Sequence, residues 1–245
     1  MKILGVIPAR YASTRFPAKP LVDIAGTSMI MRVHNQVKAC DFISEVVVAT
    51  DNKLIYNHVQ SFGANVVMTA ESHQSGTDRV YEAYQNYAKE FDYIINIQGD
   101  EPFIKPEQIS LLANCLDGNT EIATLCKKLE DIDAVFDENK VKVVFDNQNN
   151  ALYFSRQAIP FVRGKEKSTW LNYHDYFKHL GIYALRTDIL SKITKLEMSS
   201  FEKAESLEQL RWLQNGYSIK VLESQWDSVG VDTPEDLEFI LKNLI

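Results

Sequence analysis

The chain has 245 residues, enough for one large α/β domain or a core with a sizeable appendage. Apolar residues make up 45% and charged residues 24%, the balance of a soluble globular protein, and no run approaches the roughly 18 apolar residues that span a bilayer. The net charge of −7 argues against a general nucleic-acid surface, which needs a basic face, but not against a small anionic substrate held by a local cluster of cations.

The first element is Ile3–Ile7, an apolar run that reads as a strand buried on both faces. The chain opens directly on it, with no charged leader or cleavage site, so no signal peptide is expected. Pro8 has no N–H to donate and stops the ladder. The loop that follows carries Arg10, Arg15 and Lys19 with Ser13 and Thr14, and Pro17 and Pro20 stiffen it by fixing φ. Cations spaced in this way at the carboxyl end of a first strand suit a polyanion such as a triphosphate, because that edge is where open α/β sheets bind ligands. The stretch is neither a GxxxxGK[ST] loop nor a GxGxxG fingerprint, and its charge comes from side chains. The plain alternative is a solvated basic loop.

Ser28–Ala39 reads as a helix with Met29, Ile30, Val33 and Val37 on one face, capped by Thr27 or Ser28. Glu45–Thr50 is a second buried strand; Asp51 and Asn52 start a helix that runs to about Phe62, where Gly63 ends it. Asn65–Met68 is a short third strand, and the alternation predicts a parallel sheet with right-handed crossovers. The next helix opens within His73–Arg79, with Ser75 or Thr77 as its cap, and a helix start also favours anions through its free N–H groups. Asp92–Ile97 is the fourth buried strand and ends in Gln98-Gly99-Asp100-Glu101-Pro102. Asp100 is either a turn acid or a ligand for Mg²⁺, which takes one or two carboxylates together with substrate phosphates.

Residues 106–116 predict a helix and Glu121–Lys127 a strand, while the acidic Asp131–Asn139 reads as a short helix or loop with a solvated face. From Val141 the pattern changes to two strands, 141–145 and 151–155, joined by a polar turn. The basic Phe161–Asn172 stretch reads as a loop over the pocket or a subunit contact, and Lys178–Leu185 as a strand. Helices are expected at 187–195 and 201–214, the second with Glu205 and Glu208 on one face. A strand at Tyr217–Leu222 and a helix beginning at Thr233-Pro234 close the chain. Cys40, Cys115 and Cys126 form no CxxC pair and read as small core residues in a reducing cytoplasm. His34, His58, His73 and His174 show no metal-ligand spacing.

IPARYxSTRxPxKPL at 7–21, SGTDR at 75–79, NxQGDEP at 96–102, VKVV at 141–144, ALYFSRxxIP at 151–160, HLGIY at 179–183, LEQLR at 207–211 and GVDTPEDLE at 230–238 occur in that order. Together they resemble the 3-deoxy-manno-octulosonate cytidylyltransferase family over essentially the whole chain. One local departure is Ala18, where the family has glycine; it bears on the backbone beside Lys19. The resemblance implies a Rossmann-like, three-layer α/β/α nucleotidyltransferase fold with a mostly parallel sheet and an inserted β-rich region. Residues 1–139 and 215–245 would be the nucleotide-binding core of a single domain, and 140–214 the sugar-binding and dimerisation region. It further implies a cytoplasmic homodimer that uses Mg²⁺. Its reaction would convert CTP and 3-deoxy-D-manno-octulosonate (Kdo) into CMP-Kdo and pyrophosphate for lipopolysaccharide synthesis, with an 8-amino relative of Kdo as the alternative acceptor.

Carried over residue by residue, the resemblance gives Arg10, Lys19 and Asp100 catalytic roles. Pro8, Ala9, Arg10, Ser13, Arg15, Lys19, Gln74, Arg79 and Asp100 would bind the nucleotide, and Asp100 with Asp232 the metal. Gln98, Arg156, His179, Tyr183, Glu208 and Gln209 would bind the sugar. A histidine in a strand is more often structural, which is the competing reading of His179. No nucleic-acid partner or membrane insertion is expected.

Overall fold

The computed structural model describes residues 1–12, 16–73 and 75–243. Strand β1 (Ile3–Ala9) leads through a 3₁₀ turn at Lys19–Leu21 and a small ribbon, β2 (Asp23–Ile24) and β3 (Thr27–Ser28), into helix α1 (Met29–Lys38). β4 (Glu45–Thr50), α2 (Lys53–Ser61), β5 (Asn65–Met68) and α3 (Gly76–Tyr87) continue the alternation. Of the capping alternatives, Ser28 caps α1 and Ser75 caps α3, each accepting a backbone N–H three residues on. The chain then forms β6 (Tyr93–Asn96), α4 (Pro106–Asn114), β7 (Ile122–Lys128), α5 (Ile132–Phe136) and the hairpin β8 (Lys142–Phe145) and β9 (Ala151–Ser155). It closes with β10 (Phe177–Arg186), α6 (Thr187–Ile193), α7 (Ser200–Glu205), α8 (Gln209–Gln214), β11 (Ile219–Glu223) and α9 (Pro234–Asn243).

The main sheet runs β11-β7-β10-β6-β1-β4-β5. Its pairs are parallel except those of β10, which is antiparallel to both β6 and β7. Neighbouring residues of β1 feed opposite layers, as a strand's two-residue period requires. Ile3 and Ile7 join Val33 and Val37 of α1 and Ile109 and Leu112 of α4. Leu4 and Val6 join Val80 and Ala83 of α3 with Leu210 and Trp212 of α8. This is the three-layer α/β/α arrangement with a mostly parallel sheet that the sequence predicts.

Several local features differ from the expectation. Phe177–Arg186 lies in the middle of the main sheet, so residues 140–214 do not all stand outside it. The β8–β9 hairpin branches off, through an antiparallel bridge between Lys142 and Lys178. The helix expected over 201–214 is two, because Ser206 takes a left-handed conformation at φ 53. Asp131–Asn139 is not wholly solvated: α5 buries Ala134 and Val135, and Phe136 meets Trp170 of the 161–172 stretch at 5.2 Å between ring centroids. Cys40 and Cys126 are buried as expected, while Cys115 is half-buried. No helix among the described residues is long and apolar enough to cross a membrane.

Candidate active site

The exits of β1, β4 and β6 share one edge of the sheet, the edge that binds ligands in open α/β folds. A cleft of about 240 Å³ opens there. Pro8 and Ala9 line it from β1, Arg10 from just beyond the strand, Lys19 and Pro20 from the following turn, and Gly76 and Arg79 from α3. Gln98, Gly99 and Asp100 close it from the exit of β6, and Asp232 from the segment before α9. The expected nucleotide and metal residues that are described therefore meet in one place. Ser13, Arg15 and Gln74 lie outside the described residues.

Two backbone features set this geometry. A Cβ on Gly99 would lie 2.5 Å from the Pro8 carbonyl oxygen, so only glycine lets the β6 exit cross the β1 exit this closely. Ala18 sits in the left-handed region at φ 57, and its N–H donates to the Tyr11 carbonyl at 3.1 Å, closing the basic loop on itself. The Cβ makes that conformation costly, so alanine at this position strains the backbone beside Lys19.

At the centre, Lys19 Nζ donates to Asp100 Oδ2 at 2.7 Å and to Asp232 Oδ1 at 3.0 Å. The lysine side chain is only 12% exposed, against 33% and 50% for the two acids. Asp232 lies 213 residues along the chain from Lys19. A fixed segment delivers it: Val231 N–H donates to the Asp100 carbonyl at 2.9 Å. Asp236 Oδ2 accepts from the N–H groups of Asp232 and Thr233, both at 2.9 Å, and anchors the start of α9. Beside Asp100, burial and then the Asp100 charge push the Glu101 carboxyl up to about 8. Arg10 is exposed at the rim, and among the described residues it pairs with no carboxylate.

Arg79 reaches the cleft wall, but its guanidinium is already engaged. It donates to Asp51 Oδ2 at 2.7 Å and to Thr69 Oγ1 at 2.6 Å, and the side chain is 1% exposed. Asp51 Oδ1 also accepts from the Tyr11 N–H at 3.4 Å, so one acid links α3 to the basic loop.

The expected sugar residues form a second group beside the cleft. Gln98 joins the two, lining the cleft and donating from Nε2 to the Gly181 carbonyl at 2.9 Å. Gly181 allows this, since it takes φ 68 where the β10 ladder is irregular between His179 and Tyr183. Tyr183 is buried opposite Asn96 in the ladder and stands edge-on to Trp212 at 5.1 Å. Glu208 accepts from Thr77 Oγ1 at 2.7 Å, at the first turn of α3; burial raises its pKa. Gln209 is 5% exposed, and its side chain makes no hydrogen bond to the described residues. Arg156 is held by Glu205 and by the Glu138 carbonyl.

His179 is half-buried, with Nε2 2.9 Å from Thr124 Oγ1 and accepting from the Gly181 N–H at 3.3 Å. Burial pushes its pKa down to about 3, so it is neutral, and the geometry favours the structural reading of this residue.

A family model described as cytidylyltransferase matches residues 4–221. A curated relative, 3-deoxy-manno-octulosonate cytidylyltransferase from Parabacteroides distasonis, is 54% identical over 97% of this chain and 96% of its own length. The chain belongs to the 3-deoxy-manno-octulosonate cytidylyltransferase family. The relative of that name from Bacteroides thetaiotaomicron is 52% identical, with 99% of each chain covered. The solved structure of CMP:2-keto-3-deoxy-manno-octonic acid synthetase complexed with CTP superposes with a TM-score of 0.92. It is 40% identical and covers 100% of this chain and 98% of that one.

For a member of this cytidylyltransferase family, three residues beyond those read from sequence stand out. Asp51 follows the exit of β4 as Asp100 follows that of β6, so the strand-exit rule that singled out Asp100 also applied to it; sequence reading gave it only a helix start. Thr77, read as a possible cap, instead holds Glu208. Asn96 is 3% exposed and its Oδ1 has no hydrogen-bond partner among the described residues, a buried polar atom facing the Tyr183 side of the sheet. Nothing in its strand context distinguished it from a structural asparagine.

Proposed function

We propose that the protein transfers CMP from CTP to the anomeric hydroxyl of 3-deoxy-manno-octulosonate, releasing pyrophosphate, with Mg²⁺ as its cofactor. The observation that carries this reading is the Lys19 ammonium between Asp100 and Asp232 on the ligand-binding edge of the sheet. The activity for which its relatives are named, and the CTP complexed with the similar solved structure, supply the substrates.

Two carboxylates that converge on one cationic centre form an oxygen site of the kind Mg²⁺ takes. Among the described residues no group of three or more His, Cys, Asp or Glu side chains is placed to hold a metal. Asp100 and Asp232 would hold such an ion, which takes one or two carboxylates and leaves room for substrate phosphates. When bound, Mg²⁺ supplies charge neutralisation for the triphosphate and acidifies a hydroxyl that touches it.

The chain's own residues then position and stabilise. Arg10 and Lys19 bind the triphosphate and offset the charge that grows on the departing pyrophosphate. Pro8 and Ala9 form the floor under the nucleotide, and the Asp51–Arg79 pair holds the wall. Arg156 and Gln209 offer donors to the acceptor's carboxylate and hydroxyls, with Gln98, Tyr183 and Glu208 around them. The hydroxyl attacks the α-phosphorus directly. The described cleft-lining residues include no serine, cysteine or histidine to form a covalent intermediate, and in-line transfer needs none.

The product would serve lipopolysaccharide assembly in the cytoplasm. The exposed apolar residues Leu152, Phe161 and Phe201 offer surface for a homodimer contact. Sizing by light scattering checks the dimer; a monomer at micromolar concentration would refute it.

The activity is tested by pyrophosphate release with Mg²⁺ and Kdo, comparing CTP with UTP, ATP and dTTP. Release with CTP alone is expected. Release only with an 8-amino acceptor would keep the mechanism and move the substrate. Silence with every pair, from a folded protein that binds CTP, would overturn the reading.

A further inference from the structure

The break between α7 and α8 is built around one carboxylate. Glu205 is the last residue of α7, and Ser206 after it is the left-handed residue that ends the helix. Glu205 Oε1 accepts from Ser155 Oγ at 2.7 Å, and Oε2 accepts from the Arg156 N–H at 3.0 Å. Its backbone carbonyl accepts from Arg156 Nε at 2.8 Å. One residue thus takes three hydrogen bonds from two consecutive residues about 50 positions earlier in the chain, where β9 ends.

The clasp fixes side chains on both sides. Arg156 Nη1 donates to the Glu138 carbonyl at 3.1 Å, which leaves Nη2 as the guanidinium nitrogen without a hydrogen bond among the described residues. On the other side, the turn that follows Ser206 sets the start of α8. There Glu208 reaches back to Thr77 of α3, and Gln209 is buried with its amide unbonded. The fully buried Lys142 of β8 is tied separately, its Nζ donating to the Asp137 carbonyl at 2.7 Å, next to the Glu138 whose carbonyl holds Arg156. A half-buried carboxylate held by a hydroxyl and a backbone N–H, with its own carbonyl bonded to the Arg156 guanidinium, has few alternative arrangements, so the two segments it joins keep one relative placement.

We propose that Glu205 is a positioning residue for the sugar acceptor: by clasping Ser155 and Arg156 it sets the Arg156 guanidinium against the start of α8, where Glu208 and Gln209 meet the acceptor. The inference rests on the reading above that Arg156, Glu208 and Gln209 face the acceptor. Tyr153 packs against Phe201 and Phe154 shares a core cluster with Leu207 and Leu210, but these apolar contacts do not fix the Arg156 guanidinium, so without the clasp the acceptor must order that side chain as it binds. That cost falls on acceptor affinity and not on CTP, whose cleft residues lie on other elements.

The test is steady-state kinetics of the full-length protein with CTP and Kdo for Glu205→Ala, Glu205→Gln, Ser155→Ala and Gln209→Ala. Glu205→Ala is expected to raise the acceptor KM at least 10-fold while the CTP KM stays within twofold. Glu205→Gln keeps an acceptor for Ser155 but turns an NH2 donor toward the Arg156 N–H and loses that bond, so it should fall between wild type and Glu205→Ala. Ser155→Ala removes one of the three bonds and should raise the acceptor KM two- to fivefold. If Glu205→Ala does not fold, the same ranking of the other two carries the test. A purely structural clasp would lower Tm and leave the ratio of the two KM values unchanged, and that result would overturn the proposal. Gln209→Ala separates the two levels. If it raises the acceptor KM and the Glu205 and Ser155 variants do not, only the positioning role fails. If it has no effect, the acceptor site itself is misplaced, and the proposal falls with it.

Discussion

Lys19→Ala removes the cation on which Asp100 and Asp232 converge. In the wild type its ammonium makes charged hydrogen bonds of 2.7 and 3.0 Å and is 12% exposed. Such bonds contribute about 1.5–3 kcal/mol each in protected settings, but both acids are a third or more exposed and screened by water. The expected loss of stability is therefore about 1–2 kcal/mol in total, read by thermal unfolding in the presence of a chelator. The two acids left facing each other attract a divalent ion more strongly than before, so millimolar Mg²⁺ should restore most of the lost Tm. Turnover should not recover with it. Losing one charged donor to a developing pyrophosphate should lower kcat by about 10²–10³-fold, as removal of a single preorganised donor does elsewhere. The assay is initial-rate pyrophosphate release at saturating CTP, acceptor and Mg²⁺. A variant with normal kcat and only a raised KM for CTP would refute the reasoning, because the lysine would then bind ground state and transition state equally.

Other consequences follow from the same geometry. Asp51→Ala strands the 1%-exposed Arg79 guanidinium, and breaking such a pair costs about 3–5 kcal/mol; denaturant unfolding should show it, and a loss below about 1 kcal/mol would contradict the assignment. Ala18→Gly relieves the left-handed strain at φ 57 against a larger unfolded-state entropy, so a net gain of about 0.5–1 kcal/mol is expected, and a less stable variant would count against it. For His179 the folded pKa, about 3, lies below the ordinary 6.5, so the unfolded chain takes up the proton first. Its contribution is complete above pH 6.5 and is lost as pH falls through that window, reaching at most about 2 kcal/mol by pH 5. His179→Gln should lose less Tm between pH 7 and pH 5 than wild type; equal losses would show that the ring is already solvated.

Much of the fold was legible because its signals are local. Buried strands such as Glu45–Thr50 and Asp92–Ile97 read as continuous apolar runs, and helices such as α1, α2 and α3 begin at polar caps, so the α/β alternation follows from the sequence. The insertion of β10 between β6 and β7 was not legible, because strand order depends on long-range pairing that an apolar run does not encode. The helix break at Ser206 was hidden for a different reason. Nothing in Glu205-Ser206-Leu207 opposes a helix, and the left-handed turn is stabilised by Ser155 and Arg156, far away in sequence.

The site divides along the same line. Lys19 and Asp100 could be inferred because each follows the end of a strand and carries charge. Their meeting with Asp232 could not be read from spacing, since only the segment before α9 brings that acid back. Arg79 and His179 show the limit of residue type as evidence. An arginine near a helix start and a histidine in a strand both suit a ligand, yet in the folded chain their polar atoms already meet Asp51, Thr69, Thr124 and Gly181.

The most direct test of the account is phosphorus NMR of the reaction of the purified protein with CTP, Kdo and Mg²⁺. Transfer of the α-phosphorus predicts a new phosphodiester resonance from CMP-Kdo and one equivalent of inorganic pyrophosphate. Formation of CDP with a phosphorylated sugar, or hydrolysis of CTP with no nucleotide-sugar, would contradict it.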